Sequence, residues 1–181
     1  MEFVPNKLTD AELAAALEFA WDWSLLNHVE IVQWADAQIA CRNEIPIWLI
    51  NLSTMKQPDR APFATRLIED IELNPSTRAG FALATLIPDP IEWRANDVPS
   101  WLFVILRLAY RFCSPVHPFV IESNIMFTRF DWWEPSDVVP IGDSERAEFR
   151  TLLAKYRNAE LAHDFGSLRL RLGAGARLSS E

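Results

Sequence analysis

Prolines divide this chain into short segments, and that feature most restricts its fold. The sequence has 12 prolines but only 5 glycines among 181 residues. Proline lacks a backbone N–H and fits an α-helix only in the first turn, so helices must start or stop near each one. Between the prolines, apolar residues recur every three or four positions, as in amphipathic helices. The sequence predicts an all-α fold of about seven or eight helices, as an irregular bundle or a short stack of helical hairpins.

Three helix starts carry N-cap signals. Thr9 with Glu12, and Asn27 with Glu30, match the capping box, in which each partner's side chain accepts the other's backbone N–H. Ser76 can cap a further helix. We expect helices over 10–26, from 28 onwards and over 78–87. Further helices are predicted over 45–52, 62–73, 100–113, 119–133 and 144–165.

Two segments leave alternatives open. The density of Phe, Ile, Thr and Trp in 119–133 also allows a strand, although we prefer a helix there. The tail over 166–181 alternates Leu with Arg and contains glycine, so it pairs as a short edge strand or stays unpaired. The expected organisation is one helical domain over 1–165, followed by this tail.

The net charge and the short apolar stretches restrict which kinds of partner the chain can bind. The net charge of −8 repels nucleic acid and anionic membranes and favours a basic partner protein. Apolar stretches fall short of a membrane span. Acids stand at the N-terminus where an export signal would have bases, so we expect a cytoplasmic protein. The sequence leaves its oligomeric state open.

Cys41 and Cys113 have no metal-ligand spacing and are expected to be buried, reduced thiols.

No motif for catalysis is present. The chain lacks GxGxxG, GxxxxGK[ST], GxSxG, HExxH and paired CxxC, so we predict no cofactor and no metal. A helical protein can still build a pocket from facing side chains without a linear signature. For that alternative, an enzyme or small-ligand binder with an aromatic-lined pocket, the candidate residues are Arg107, His117 and Glu122.

Tryptophan is the strongest anomaly of the composition. The chain has 8 tryptophans, and several stand beside acids, as in WDW and DWWE. Indoles can fill gaps between irregular helices. They can also anchor an interface whose carboxylates steer a basic partner. On the second interpretation, the predicted partner-binding residues are Asp22, Trp23, Asp36, Asp131, Trp132 and Glu134.

The order of these segments resembles that of small acidic, mostly helical bacterial immunity-type proteins of uncharacterised families. The resemblance covers about residues 20–140 and rests on WSLLNHVEIVQWADAQI, IPIWLINLS, PSWLFVILRLAY and IMFTRFDWWEPSDVVP. Its motifs are aromatic and aliphatic positions with proline turns, so no functional residue is transferred. The resemblance implies a cytoplasmic, non-enzymatic protein that binds a cognate toxin and neutralises it by occluding its active surface.

Overall fold

A computed structural model describes residues 7–55, 71–129 and 142–172. Within these ranges every regular element is helical, which confirms the all-α class. The α-helices are α1 (Asp10–Asp22), α2 (His28–Ala40), α3 (Ile47–Ser53), α4 (Thr77–Thr85), α5 (Val98–Phe112), α6 (Pro118–Arg129), α7 (Asp143–Tyr156) and α8 (Ala159–Ala162). Short 3-10 turns at Pro90–Glu92, Ala95–Asp97 and His163–Phe165 lie in or beside the connections.

The N-cap signals are confirmed. Thr9 Oγ1 accepts the Glu12 backbone N–H at 3.2 Å, and Glu12 Oε2 accepts the Thr9 backbone N–H at 2.8 Å. Asn27 and Glu30 make the same reciprocal pair ahead of α2, with both bonds at 2.9 Å. Ser76 caps α4 by accepting a backbone N–H from its first turn. These caps satisfy N–H groups that have no partner within their own helix.

α4 packs against four other helices, α1, α5, α7 and α8, so it rather than α5 has the central position. α5 is largely buried, as its apolar run predicts, with ten of its fifteen residues buried. α4 approaches it closely at Gly80, where an added Cβ would lie only 2.5 Å from Phe112 Cβ. The preference for helix in the ambiguous segment is confirmed over Pro118–Arg129, and the rest of 119–133 lies outside the described residues.

Two predicted helices end earlier than their patterns suggested. α1 stops at Asp22, and Ser24 has a left-handed φ of 54°. The helix over 144–165 is interrupted at Arg157, whose ψ of 137° is extended. Arg157 Nη2 donates to Ile87 O at 2.8 Å and Nε to Ala84 O at 3.3 Å. The guanidinium thus donates to two carbonyls at and just beyond the end of α4, of which Ala84 O also accepts the Ile87 N–H at 3.3 Å. This contact accompanies the break in the helix.

The described part of the tail packs onto the helices. Leu168 and Leu170 are buried. The Leu170 N–H donates to Leu86 O at 3.4 Å, whereas the Arg171 N–H donates to Leu25 O at 3.0 Å. Because these bonds reach two different segments, no strand ladder forms over 166–172, and the predicted edge strand is absent from this range. Residues 173–181 lie outside the described ranges, as does most of the helix predicted over 62–73.

Candidate functional site

Most of the tryptophans are buried in the core. Five of the 8 indoles are at most 8 % exposed, namely Trp21, Trp34, Trp48, Trp93 and Trp101. Trp93 stacks on Trp101 with ring centroids 5.9 Å apart and donates from Nε1 to Pro88 O at 3.2 Å. Trp34 donates from Nε1 to Asp164 O at 3.1 Å. These five indoles therefore fill gaps between helices, as the packing interpretation predicts.

Trp23 is half-buried, and part of its ring is already covered. Its ring centroid lies 5.3 Å from that of Phe103 and 6.1 Å from that of Phe19. Arg107 Cζ lies 5.9 Å from the Trp23 centroid and 4.8 Å from the Phe103 centroid, in cation–π geometry. Asp22, the neighbour of Trp23, is exposed. Arg107, predicted to line a pocket, thus lies beside the predicted partner-binding residues.

The other two pocket residues meet at Tyr156. Glu122 Oε1 accepts the Tyr156 hydroxyl at 3.1 Å, and Glu122 Oε2 accepts Lys155 Nζ at 2.8 Å. The His117 ring packs edge-on against Tyr156, and its Nδ1 accepts the Phe119 N–H at 3.1 Å. Burial, and then the Glu122 hydrogen bond, raise the pKa of Tyr156 to about 12. The phenol therefore stays protonated at neutral pH. Arg107, the third predicted pocket residue, lies instead over the rings of Trp23 and Phe103, so it does not join His117 and Glu122.

A groove of about 490 Å³ runs between α6 and α7. Met126 and Leu152 lie among its apolar lining residues, and Glu122 also lines it. Two ion pairs cross from α6 to α7, Glu122–Lys155 at 2.8 Å and Arg129–Glu148 at 2.6 Å. No aromatic ring of the described residues lines this α6–α7 groove, so it differs from the aromatic pocket that was predicted.

A surface that sequence analysis missed lies on the α2–α3 hairpin. Ile47 is 67 % exposed, and Ile45 and Ile50 are each 42 % exposed. Ser53, one turn beyond Ile50, donates from Oγ to Asp36 on α2. Asp36 is exposed, as predicted for a partner-binding residue.

Acidic side chains stand at both ends of this stripe. Glu44 is exposed just before α3, and Asp36 lies at the other end. The one arginine of the hairpin, Arg42, is held by Asp10 of α1, with Nη1 2.7 Å from Oδ1. Asp36, Glu44, Ile45, Ile47 and Ile50 are together called the acidic aliphatic face below. Its signal in the sequence is that α3 carries Ile47 and Ile50 outside the buried spacing of Trp48, Leu49 and Leu52.

Three predicted partner-binding residues, Asp131, Trp132 and Glu134, lie outside the described residues and stay predictions.

The two cysteines differ in exposure. Cys113 is buried, which raises the pKa of its thiol. Cys41 is exposed, so the expectation of two buried thiols is wrong for Cys41. Among the described residues, no three His, Cys, Asp or Glu side chains come together to hold a metal. In the same ranges, no helix has the length and apolarity needed to cross a membrane.

Comparisons with protein-family models, with curated proteins and with solved structures found no match to this chain.

Proposed function

We propose that this is a non-enzymatic binding protein, and that the acidic aliphatic face on α2 and α3 contacts a basic partner protein. An immunity-like role in the cytoplasm, in which the bound protein occludes a toxin's active surface, is the form of this function that the sequence resemblance implies. The observation that carries the proposal is the exposure of Ile45, Ile47 and Ile50 between two acids.

The exposed isoleucines of the acidic aliphatic face favour a protein as the partner. Ile47 has two thirds of its surface in water, and its neighbours along the helix add to the same stripe. Burying such side chains stabilises a complex through the hydrophobic effect, at roughly 25 cal/mol per Å². Isolated apolar residues on a surface are ordinary, whereas contiguous ones beside charges mark interaction sites.

The charge of the face favours a basic partner. Asp36 and Glu44 are exposed, and Arg42 is engaged by Asp10. The whole chain carries a net charge of −8 in addition. Complementary charge raises the association rate and selects against acidic partners and nucleic acid. Asp22 and Trp23 remain candidates for a second part of the contact, with the Trp23 ring already partly covered by Arg107.

The experiment is affinity capture from the native host, followed by binding measurements on the purified partner. The wild-type chain should capture a basic protein, and the gene beside this one is the first candidate to encode it. Ile47→Asp should weaken binding by about 30-fold, the effect of a lost hot spot of about 2 kcal/mol. Glu44→Lys should slow association and reduce its salt dependence.

The matched control is Ile91→Asp, which changes an aliphatic side chain that is 59 % exposed on the 3-10 turn Pro90–Glu92. It should leave the affinity unchanged. Equal affinities for wild type and Ile47→Asp would refute the assignment of the face. A captured partner that is acidic, or binding that does not respond to salt, would refute the proposed chemistry of the partner. Loss of toxicity when this chain is co-expressed with that partner would support the immunity role.

A further inference from the structure

An ion pair between Asp10 and Arg42 joins the start of α1 to the end of α2. Arg42 Nη1 lies 2.7 Å from Asp10 Oδ1, and the Arg42 and Asp10 side chains are 23 % and 36 % exposed. Asp10 is the first residue of α1, and a capping box fixes that helix start. Arg42 follows Cys41, the C-cap residue of α2, and the Arg42 N–H donates to Ile39 O at 3.3 Å. Because local contacts hold both backbones, the ion pair chiefly determines where the guanidinium lies.

The position of this guanidinium affects the charge of the acidic aliphatic face. Arg42 is the one lysine or arginine within 28–55, and it stands two residues before Glu44 in the chain. Glu44 is exposed and forms no ion pair with any residue that the structure describes. Two residues of chain span at most about 7 Å between Cα atoms, so an arginine side chain at 42 can reach the Glu44 carboxylate. A guanidinium there would neutralise one of the two acids of the face.

The ion pair matters more for the charge of this surface than for the stability of the fold. Partly exposed ion pairs contribute little to stability, because both side chains lose freedom and salt screens their attraction. A basic partner is more sensitive, since a like charge beside its contact opposes its approach. We propose that Asp10 is a specificity-determining residue of the acidic aliphatic face, and that it acts by holding Arg42 away from Glu44. The inference rests on the proposed function, because it concerns the same face and the same class of partner.

The first test requires no partner. Two small nitroxide radicals, one cationic and one anionic, are added in turn, and the relaxation that each causes is measured by NMR at the methyl groups of Ile45 and Ile47. The ratio of the two effects reports the sign of the potential at the surface, and in the wild-type chain it should favour the cationic radical. Asp10→Asn should lower this ratio about two-fold, the effect of one positive charge at about 7 Å in water at moderate salt.

Two matched variants separate the position of the base from the net charge. Glu92→Gln removes the same unit charge at an exposed site on the 3-10 turn Pro90–Glu92 and should leave the ratio unchanged. In an Arg42→Gln background, Asp10→Asn should lower the ratio much less than in the wild-type background, because the base that it releases is gone. Equal effects in the two backgrounds, or no effect in the wild-type background, would overturn the inference. Circular dichroism should show every variant folded, as expected for a partly exposed ion pair.

The second test uses the basic protein that the wild-type chain captures. Asp10→Asn should slow its association about five-fold at low salt, whereas Asp10→Asn combined with Arg42→Gln should associate at close to the wild-type rate. The two proposals can fail separately. Ile47→Asp without an effect on affinity would refute the proposed function, whereas radical ratios and association rates that do not respond to Asp10→Asn would refute only the role of Asp10.

Discussion

The carboxylate of Glu12 joins two helix starts, and its removal should cost more stability than removal of any other capping side chain described above. Glu12 is only 3 % exposed. Its Oε2 accepts the Thr9 backbone N–H at 2.8 Å, which closes the capping box of α1. Its Oε1 accepts the hydroxyl of Ser76, the N-cap of α4. One buried charge therefore orients the caps of both helices.

The expected loss of stability on Glu12→Ala follows from these hydrogen bonds. A hydrogen bond to a charged group contributes about 1.5–3 kcal/mol, and Glu12→Ala removes the acceptor of the Thr9 N–H, the Thr9 hydroxyl and the Ser76 hydroxyl. These donors are only partly buried, so water replaces part of the lost bonding. Alanine recovers a few tenths of a kcal/mol of helix propensity. We expect a loss of about 2–3 kcal/mol in the free energy of unfolding, which lowers Tm by about 5–10 °C in a chain of this length. Glu30→Ala is the matched control, because Glu30 makes the same capping box at an exposed site and should cost about 0.5 kcal/mol.

The pH dependence of stability separates charge from shape. Burial raises the pKa of Glu12, but the hydrogen bonds from Ser76 and Thr9, with nearby Arg78, outweigh burial and lower it below its ordinary value of 4.5. A lowered pKa in the folded state stabilises the protein above about pH 4.5, and this stabilisation is lost as pH falls through the folded-state pKa.

The assay is chemical denaturation of wild type, Glu12→Gln and Glu12→Ala, each at neutral pH and at several values below 4.5. Glu12→Gln keeps the shape and cannot titrate, so its deficit relative to wild type should be largest at neutral pH and should shrink in acid. A Glu12→Ala loss no larger than that of Glu30→Ala would refute the reasoning. So would a Glu12→Gln deficit that is the same at every pH.

Three further outcomes are expected. Gly80→Ala should lower the free energy of unfolding by about 1–3 kcal/mol, because the added methyl group overlaps Phe112, and this outweighs alanine's better helix propensity. Chemical denaturation measures this loss, and an unchanged denaturation midpoint would contradict the close approach of α4 and α5. Tyr156 should ionise only near pH 12 in an ultraviolet titration, and Tyr156→Phe should remove that ionisation step. Stability should fall as pH rises from about 10 towards 12, since the folded state retains the proton, and an ionisation near 10 would argue against the burial of the phenol and its contact with Glu122. Arg157→Met should cost about 2 kcal/mol in the free energy of unfolding, because it removes the guanidinium that donates to Ile87 O and Ala84 O. Arg157→Lys should recover only part of this loss, and thermal unfolding measures both.

Local signals predicted the helices of this protein well. The Thr9 and Asn27 capping boxes each depend on residues three positions apart, and these contacts form without help from the rest of the chain. The apolar run of α5 likewise predicted a largely buried helix, because a helix buried on most sides needs such a run.

Features that depend on distant contacts were not predicted. The helical pattern continues through Arg157, and the break there coincides with hydrogen bonds to Ala84 O and Ile87 O, some seventy residues earlier in the chain, which local periodicity does not encode. Surface exposure is a second feature of this kind. The acidic neighbours of Trp23 predict an exposed ring, but Arg107 and Phe103 cover part of it. The exposed isoleucines of α3 resemble core residues in sequence.

The contacts of Asp164 have a consequence for biosynthesis. Its side chain accepts the Leu8 N–H, and its backbone carbonyl accepts the Trp34 indole, across 156 and 130 residues of sequence. A ribosome releases α1 and α2 long before it makes residue 164. Until residue 164 is available, α1 and α2 lack the contacts that Asp164 makes with Leu8 and Trp34. The native packing of these helices is therefore completed only late in synthesis or after release.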